Sequence, residues 1–280
     1  KEDAAKRACR LYRHVLRTPI ASDALLYEEK DELFSIHISR TRDKKYLVLA
    51  GQSKTTSEGR FMPADGSATL KLIDPRRQDR EYYVDHRNGR LYLRVNDTNR
   101  NFRIVTAPDA EPDQKNWSEL VAARDDVVIQ DLDVFAHHLV VHERRNGLPQ
   151  LALARLPDGQ ADPAAGGTLV PRELQFDEPD FDVAPGENHE FDPPALRYTY
   201  TSLTTPQRVY DLDLSTGKRT LLKEQPVGGG FKAGDYKEER LFATAADGTR
   251  VPVSLVYRRP SSGRPVGPRP LLLEGYGSYG

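Results

Sequence analysis

Residues 82–95 read Tyr82-Tyr-Val-Asp-His-Arg-Asn-Gly-Arg-Leu-Tyr-Leu-Arg-Val95, and this stretch decides the fold. β-branched and aromatic residues lie on both sides of Asn88-Gly89, a dipeptide that accepts positive φ at both positions. That is the composition of an antiparallel hairpin. A further run of the same kind, Phe102-Arg-Ile-Val105, follows. Working outward, the texture recurs in Phe34-Ser-Ile-His-Ile38, Tyr46-Leu-Val-Leu49, His138-Leu-Val-Val-His142, Arg197-Tyr-Thr-Tyr200 and Val209-Tyr-Asp-Leu-Asp-Leu214. Asp65-Gly66, Asn146-Gly147, Asp158-Gly159 and Asp247-Gly248 supply further turns. No long helical periodicity competes with these runs, so the chain reads as all-β.

The strands repeat. Four-strand groups begin near Phe34, Tyr82, Val127 and Phe181, a period of about 45 to 55 residues, which is that of four-stranded propeller blades. The third strands resemble one another: Glu58-Gly-Arg-Phe61, Asn101-Phe-Arg-Ile104, Pro149-Gln-Leu-Ala-Leu153 and Gln207-Arg-Val-Tyr-Asp211. Arg10-Leu-Tyr-Arg-His-Val-Leu16 and Ala24-Leu-Leu-Tyr-Glu28 read as the outer half of a preceding blade. The pattern therefore predicts a partial β-propeller of about four and a half blades, with the half-blade in residues 1–32 and four blades in 33–225. A β-sandwich with Greek-key connections is the alternative, and it does not explain so regular a repeat.

After Gln225 the pattern changes. Pro226-Val-Gly-Gly-Gly230 reads as a hinge, followed by a hairpin of Glu239-Arg-Leu-Phe-Ala-Thr244 and Val251-Pro-Val-Ser-Leu-Val-Tyr257 closed at Asp247-Gly248. A Pro/Gly/Ser loop from Arg259 to Pro270 leads into Leu271-Leu-Leu-Glu-Gly-Tyr-Gly-Ser-Tyr-Gly280, an apolar run of the kind that forms a buried strand. Residues 226–280 are expected to open a second domain. The abrupt start at Lys1-Glu-Asp-Ala-Ala-Lys-Arg, with no initiator Met, gives the expectation that the chain is an interior stretch of a longer protein.

Composition excludes several classes. With 280 residues, 38% hydrophobic and 30% charged, the chain can bury a sizeable core, and no apolar run approaches the length of a membrane span. The balance of 41 basic against 42 acidic residues argues against a nucleic-acid partner. The single cysteine, Cys9, excludes an intramolecular disulfide framework and multi-cysteine zinc patterns, and makes the cytoplasm the expected compartment.

Several segments then carry a resemblance. Val251-Pro-Val-Ser-Leu-Val-Tyr257 followed by Gly275-Tyr-Gly-Ser-Tyr-Gly280 resembles the propeller-to-hydrolase junction of the prolyl oligopeptidase family, in its oligopeptidase B branch. Tyr27-Glu-Glu-Lys-Asp31, Ser53-Lys-Thr-Thr-Ser-Glu58, Pro75-Arg-Arg77, Asn101-Phe-Arg103, Leu196-Arg-Tyr198 and Thr204-Thr-Pro206 agree in order and spacing. The resemblance implies a seven-bladed propeller capping an α/β-hydrolase domain, a serine peptidase that cleaves short peptides after Lys or Arg, and no cofactor. In that family the nucleophilic Ser, the Asp and the His all follow the Gly275–Gly280 motif. This chain is therefore expected to lack the triad, to need the C-terminal catalytic domain of the same protein as its partner, and to be inactive alone. A stand-alone propeller that binds a protein is the alternative.

By the same resemblance Tyr276 is half of an oxyanion hole, its hydroxyl donating to the tetrahedral intermediate. Ser278 lies in Gly277-Ser-Tyr-Gly280, which is not a Gly-x-Ser-x-Gly elbow, and reads as a turn serine. Glu274 stands where the family usually has an aromatic residue, and an ionised carboxylate beside Tyr276 would oppose an oxyanion. Other candidates read as structural. His137-His138 point to opposite faces of a strand and cannot share a metal, and Asn188-His-Glu-Phe-Asp192 lacks helical ligand spacing, so no metal site is expected. Trp117 is expected to wedge between blades, and Arg76-Arg77 and Arg144-Arg145 to lie on solvated hairpin ends. The acidic residues from Glu173 to Asp192 read as a solvated loop and a guarded edge, or as a negative surface that attracts basic peptides.

Overall fold

Asn88 and Gly89 carry φ of 50° and 77°, and Asn146 and Gly147 carry 51° and 79°. Both pairs adopt the left-handed backbone that matches the twist of a tight antiparallel hairpin. In this computed structural model, which describes residues 6–159, 162–260 and 267–275, they close two of the hairpins from which four antiparallel four-stranded sheets are built.

The first sheet runs β3 (Ser35–Arg40), β4 (Tyr46–Gln52), β5 (Ser57–Pro63) and β6 (Lys71–Asp74). The second runs β7 (Tyr82–Arg87), β8 (Arg90–Val95), β9 (Arg103–Pro108) and β10 (Ser118–Val121). β11 (Val127–Val134), β12 (His138–Arg145), β13 (Leu148–Arg155) and β14 (Arg172–Glu173) make the third. β15 (Phe181–Pro185), β16 (Ala195–Ser202), β17 (Arg208–Asp213) and β18 (Arg219–Glu224) make the fourth. In every sheet, spatial order equals chain order. Before them β1 (Arg10–Arg13) pairs with β2 (Ala24–Glu28), and after them β19 (Tyr236–Thr244) pairs with β20 (Arg250–Arg258).

The core lies between the sheets. Val48, Phe61 and Ile73 of the first sheet pack against Leu91, Leu93, Val95 and Val105 of the second. The next residue on β8, Tyr92, points the other way and joins Ile129, Leu139, Val141 and Ala152 of the third sheet. On the far side of the third sheet Val140 and Leu151 meet Val183, Leu196, Tyr198 and Leu212 of the fourth. Successive strand residues face opposite sides, so a sheet with both faces covered reads as an unbroken apolar run. Trp117 packs on the core between the first two sheets, edge-on to Tyr82 with ring centroids 6.4 Å apart. It is a wedge between blades, as its sequence context predicts.

Two expectations are corrected here. Leu271, Leu272 and Leu273 are 71%, 83% and 78% exposed and form no strand, because no strand among the described residues lies alongside to take their backbone hydrogen bonds. Arg76 is not a solvated hairpin end. Its guanidinium lies 3.9 Å over the Phe34 ring and pairs with Glu29 at 2.6 Å and Glu58 at 3.4 Å, fastening β1–β2 to the first sheet. Arg77 beside it is exposed.

Candidate functional site

The chain order of the strands gives the stack two distinct ends. Turns 41–45, 88–89, 135–137 and 186–194 join the first strand of each sheet to its second at one end. The second-to-third turns and the passages between sheets occupy the other end. At the first end a cavity of about 600 Å³ opens among the leading strands, lined by residues that include Arg40, Arg42, Lys44, Asp85, Asp131 and His189.

Arg42 dominates this mouth. Its backbone N–H donates to Asp85 at 3.0 Å, and its guanidinium donates to the Asp133 carboxylate and the Asn188 carbonyl while lying 4.5 Å over the Phe135 ring. One side chain of the first sheet thus ties the third and fourth. Burial works to raise the Asp133 carboxyl, but the hydrogen bond from His142 at 2.9 Å and the Arg42 charge outweigh it and hold Asp133 below the usual carboxylate range. Asp85 goes the other way: burial pushes it up to about 6, against the N–H groups of Arg42 and His86. A carboxyl that gives up its proton less readily than an ordinary aspartate therefore sits inside the mouth.

Beside it a buried ionic chain joins the first two sheets. His86, 1% exposed, stands between Asp43 at 2.6 Å and Asp109 at 3.2 Å, and Tyr46 donates to Asp109 at 2.9 Å. Thr41 donates its hydroxyl to Asp43 at 2.7 Å. An Asp–His pair can activate a nucleophile only if one lies within reach of the free imidazole nitrogen. Here both ring nitrogens are engaged by carboxylates, so the arrangement is a cross-sheet tie.

The second end carries the hairpin. Arg240 of β19 pairs with Asp180 at 3.0 Å and donates to the Asn146 carbonyl, while Glu238 accepts from Thr204 at 3.4 Å. The hairpin therefore docks on the β12–β13 turn, the passage into β15 and the β16–β17 turn. This accounts for part of the acidic run: Asp180 is buried and paired, Glu173 pairs with Arg145 at 3.1 Å, and Glu178 accepts from hydroxyls of the fourth sheet. Asp177, Asp182, Glu187, Glu190 and Asp192 are exposed, with Glu187 3.4 Å from His189 and Asp192 3.9 Å from His137.

Of the other candidates, Tyr276 and Ser278 lie outside the described residues, and Glu274 is exposed and in no strand. His137 occupies the β11–β12 turn with Nδ1 2.8 Å from Asp158, whereas His138 begins β12 and is held below the usual histidine value by burial and then by Arg155. Asn188 anchors its loop through hydrogen bonds of 2.8 and 2.9 Å to the Arg197 backbone. Among the described residues no group of three or more His, Cys, Asp and Glu side chains is placed to hold a metal ion, and no helix is long and apolar enough to cross a membrane.

These features, successive four-stranded sheets with a hairpin docked at the end of the last, coincide with a family match. Residues 1–225 match the family described as prolyl oligopeptidase, N-terminal beta-propeller domain. The chain belongs to the prolyl oligopeptidase family. It is 40% identical over 273 residues to dipeptidyl aminopeptidase BI of Pseudoxanthomonas mexicana, covering 97% of this chain and 36% of that protein. Protease 2 of Moraxella lacunata is 32% identical, over 99% of this chain and 38% of its own length. Among solved structures, oligopeptidase B from Trypanosoma brucei, in a closed form with covalently bound antipain, superposes with a TM-score of 0.83 at 34% identity, over 92% of this chain and 36% of that one. Oligopeptidase B from Leishmania major gives 0.82 at 32% identity over the same shares. The chain thus spans between a third and two-fifths of the relatives it matches, and its sheets are the propeller portion of a prolyl oligopeptidase-family peptidase.

Proposed function

We propose that this chain is the gating propeller of a serine oligopeptidase that hydrolyses short peptides after Lys or Arg in the cytoplasm. Residues 1–32 form the outer half of a blade, 33–225 form four blades, and 226–280 form the hinge and the beginning of the α/β-hydrolase domain. The observation that carries the reading is the likeness to two oligopeptidases B across 92% of the chain at 32% and 34% identity. The exposed carboxylates of the fourth sheet support it, since a negative surface raises the local concentration of basic peptides. The role of the propeller is exclusion: a passage bounded by rigid, packed sheets admits an extended peptide and turns away a folded domain. Catalysis belongs to the C-terminal domain, with Tyr276 as one donor of the oxyanion hole, so the 280-residue chain is inactive alone.

The test compares the whole protein with this chain on fluorogenic peptide amides bearing Arg, Lys, Pro or Leu at the cleaved position. The whole protein is expected to turn over the Arg and Lys substrates about 100-fold or more faster in kcat/KM than the others, because a site built for a charge rejects side chains that leave it unpaired. The chain alone is expected to turn over none. Preference for Pro, or hydrolysis by the isolated chain, would overturn the reading.

A further inference from the structure

The β19–β20 hairpin rests on the fourth sheet with little apolar burial. Of the nine residues of β19 only Glu238 is buried, none of β20 is, and Leu241 and Phe242 are 45% and 40% exposed. Docking therefore depends on polar contacts, and two stand out among the described residues. The first is the Arg240 pair with Asp180, with its added bond to the Asn146 carbonyl.

The second is a pair of carboxyl groups joined through hydroxyls. Glu178, in the passage between β14 and β15, accepts from Tyr200, from Ser202 at 3.3 Å and from Thr205. The Ser202 hydroxyl lies 3.5 Å from that of Thr204, which donates to Glu238 Oε2 at 3.4 Å. Glu238 Oε1 is buried with no hydrogen-bond partner. An ionised oxygen left bare beside another carboxylate is costly, whereas a protonated one is neutral and becomes a donor.

We propose that Glu238 and Glu178 form a proton-operated latch: Glu238 holds a proton on Oε1 when the hairpin is docked, and loss of that proton loosens β19–β20 from the fourth sheet. The groups that face Glu238 do not cancel this. Glu178 and Asp180 come from the β14–β15 passage, Asp180 is taken by Arg240, Tyr200 of β16 is committed to Glu178, and Val256, the β20 residue opposite, carries no charge. Lys237 pairs with Glu239 at 2.6 Å on the other face of the strand. Burial and then the Glu178 charge hold Glu238 above the usual carboxylate range, against the hydroxyls of Ser202 and Thr204. Because the docked state binds the proton more tightly, docking is strongest in acid and weakens as pH rises through the docked value. The latch stands independently of which peptide bond the whole protein cleaves.

The test is amide hydrogen exchange of the full chain, corrected for intrinsic rates, between about pH 5 and pH 8.5, read in segments 236–258 and 209–213. Protection of 236–258 is expected to fall across that range by about tenfold for each unit by which docking lifts Glu238 above the lower end of the range, while 209–213 holds steady. Glu238→Gln removes the titrating group and is expected to give a flat profile for the hairpin, whereas Glu178→Gln removes the neighbouring charge but leaves the burial and is expected to give a shallower one. A flat profile in the unaltered chain, or an unchanged slope in both folded variants, would overturn the latch.

Discussion

Arg87 is 1% exposed, and its guanidinium crosses from the second sheet to the third, donating to the carbonyls of Ala136 and Pro157, each at 2.7 Å, and to the Tyr92 hydroxyl at 3.3 Å. Arg87→Met keeps the apolar stem and removes the fork. Two charge-assisted bonds to buried carbonyls are lost, each worth about 1.5 to 3 kcal/mol, so the expected destabilisation is roughly 3 to 6 kcal/mol. Arg87→Lys should fall between, because an ammonium on a flexible stem does not reproduce the two-pronged geometry. Trp117, the single tryptophan, packs on the core of the second sheet and reports the transition in a urea titration followed by fluorescence. The urea midpoint should drop while the slope stays constant, since the surface exposed on unfolding is unchanged. A loss under about 1 kcal/mol for Arg87→Met would show that water replaces the guanidinium at both carbonyls, and would refute the claim that these arginines hold neighbouring sheets together.

Two further outcomes are expected. In the whole protein Tyr276→Phe should lower kcat by roughly 100-fold with a smaller change in KM, because the hydroxyl bond strengthens as the oxyanion develops; equal kcat in stopped assays of the two proteins would remove the assignment. Glu29, Asp43, Asp97 and Asp133 are all held below the usual carboxylate range, where partners win against burial. Their contribution is present above the ordinary carboxylate values and is lost as pH falls through the depressed ones, so their share of the urea midpoint should be constant from neutrality to about pH 5 and decline below it, while Asp85, raised to about 6, adds a gain as pH falls from 7 towards 5. His86→Asn, which takes away the partner of Asp43, should make that decline shallower, and a steeper one would count against the tie.

The sheets were legible because two local signals agree at each of them. Alternating or continuous apolar runs end at dipeptides such as Asn88-Gly89 and Asn146-Gly147, whose positive φ fixes the register, and the four groups begin at Ser35, Tyr82, Val127 and Phe181. The cross-sheet arginines were not legible. Arg42, Arg76 and Arg87 stand in turns or at a strand end and Arg240 in the middle of the mostly exposed β19, places where a charged residue is ordinarily solvated, and nothing local distinguishes an arginine that reaches the next element. The Arg76–Glu29, Arg87–Ala136, Arg240–Asp180 and Arg42–Asp133 bonds span 47 to 91 residues, so the signal lies in the topology. Glu238 was hidden for the same reason: in sequence it is one of three charged residues in Lys237-Glu-Glu239, and only docking selects which of them is buried.

This division of labour sets where the molecule gives way. Backbone hydrogen bonds close within each sheet, and the three apolar clusters each join one sheet to the next, so an interior sheet is held on both faces. Apolar packing is indifferent to direction. The arginines supply direction, since Arg94 reaches the Ile129 carbonyl at 2.9 Å and Arg87 those of Ala136 and Pro157, fixing how the second sheet sits against the third. At the margins apolar packing thins and the polar part of this scheme carries more of the load, as the Arg76 cluster at β1–β2 and the Arg240 and Glu238 contacts at β19–β20. A proton cannot move a sheet that hundreds of square ångströms of apolar surface hold in place, because one titration is worth about 1.4 kcal/mol for each unit of pKa displacement. It can move a hairpin whose docking depends on polar contacts. The element that leads out of the propeller is therefore the one whose position a single carboxyl group is able to set.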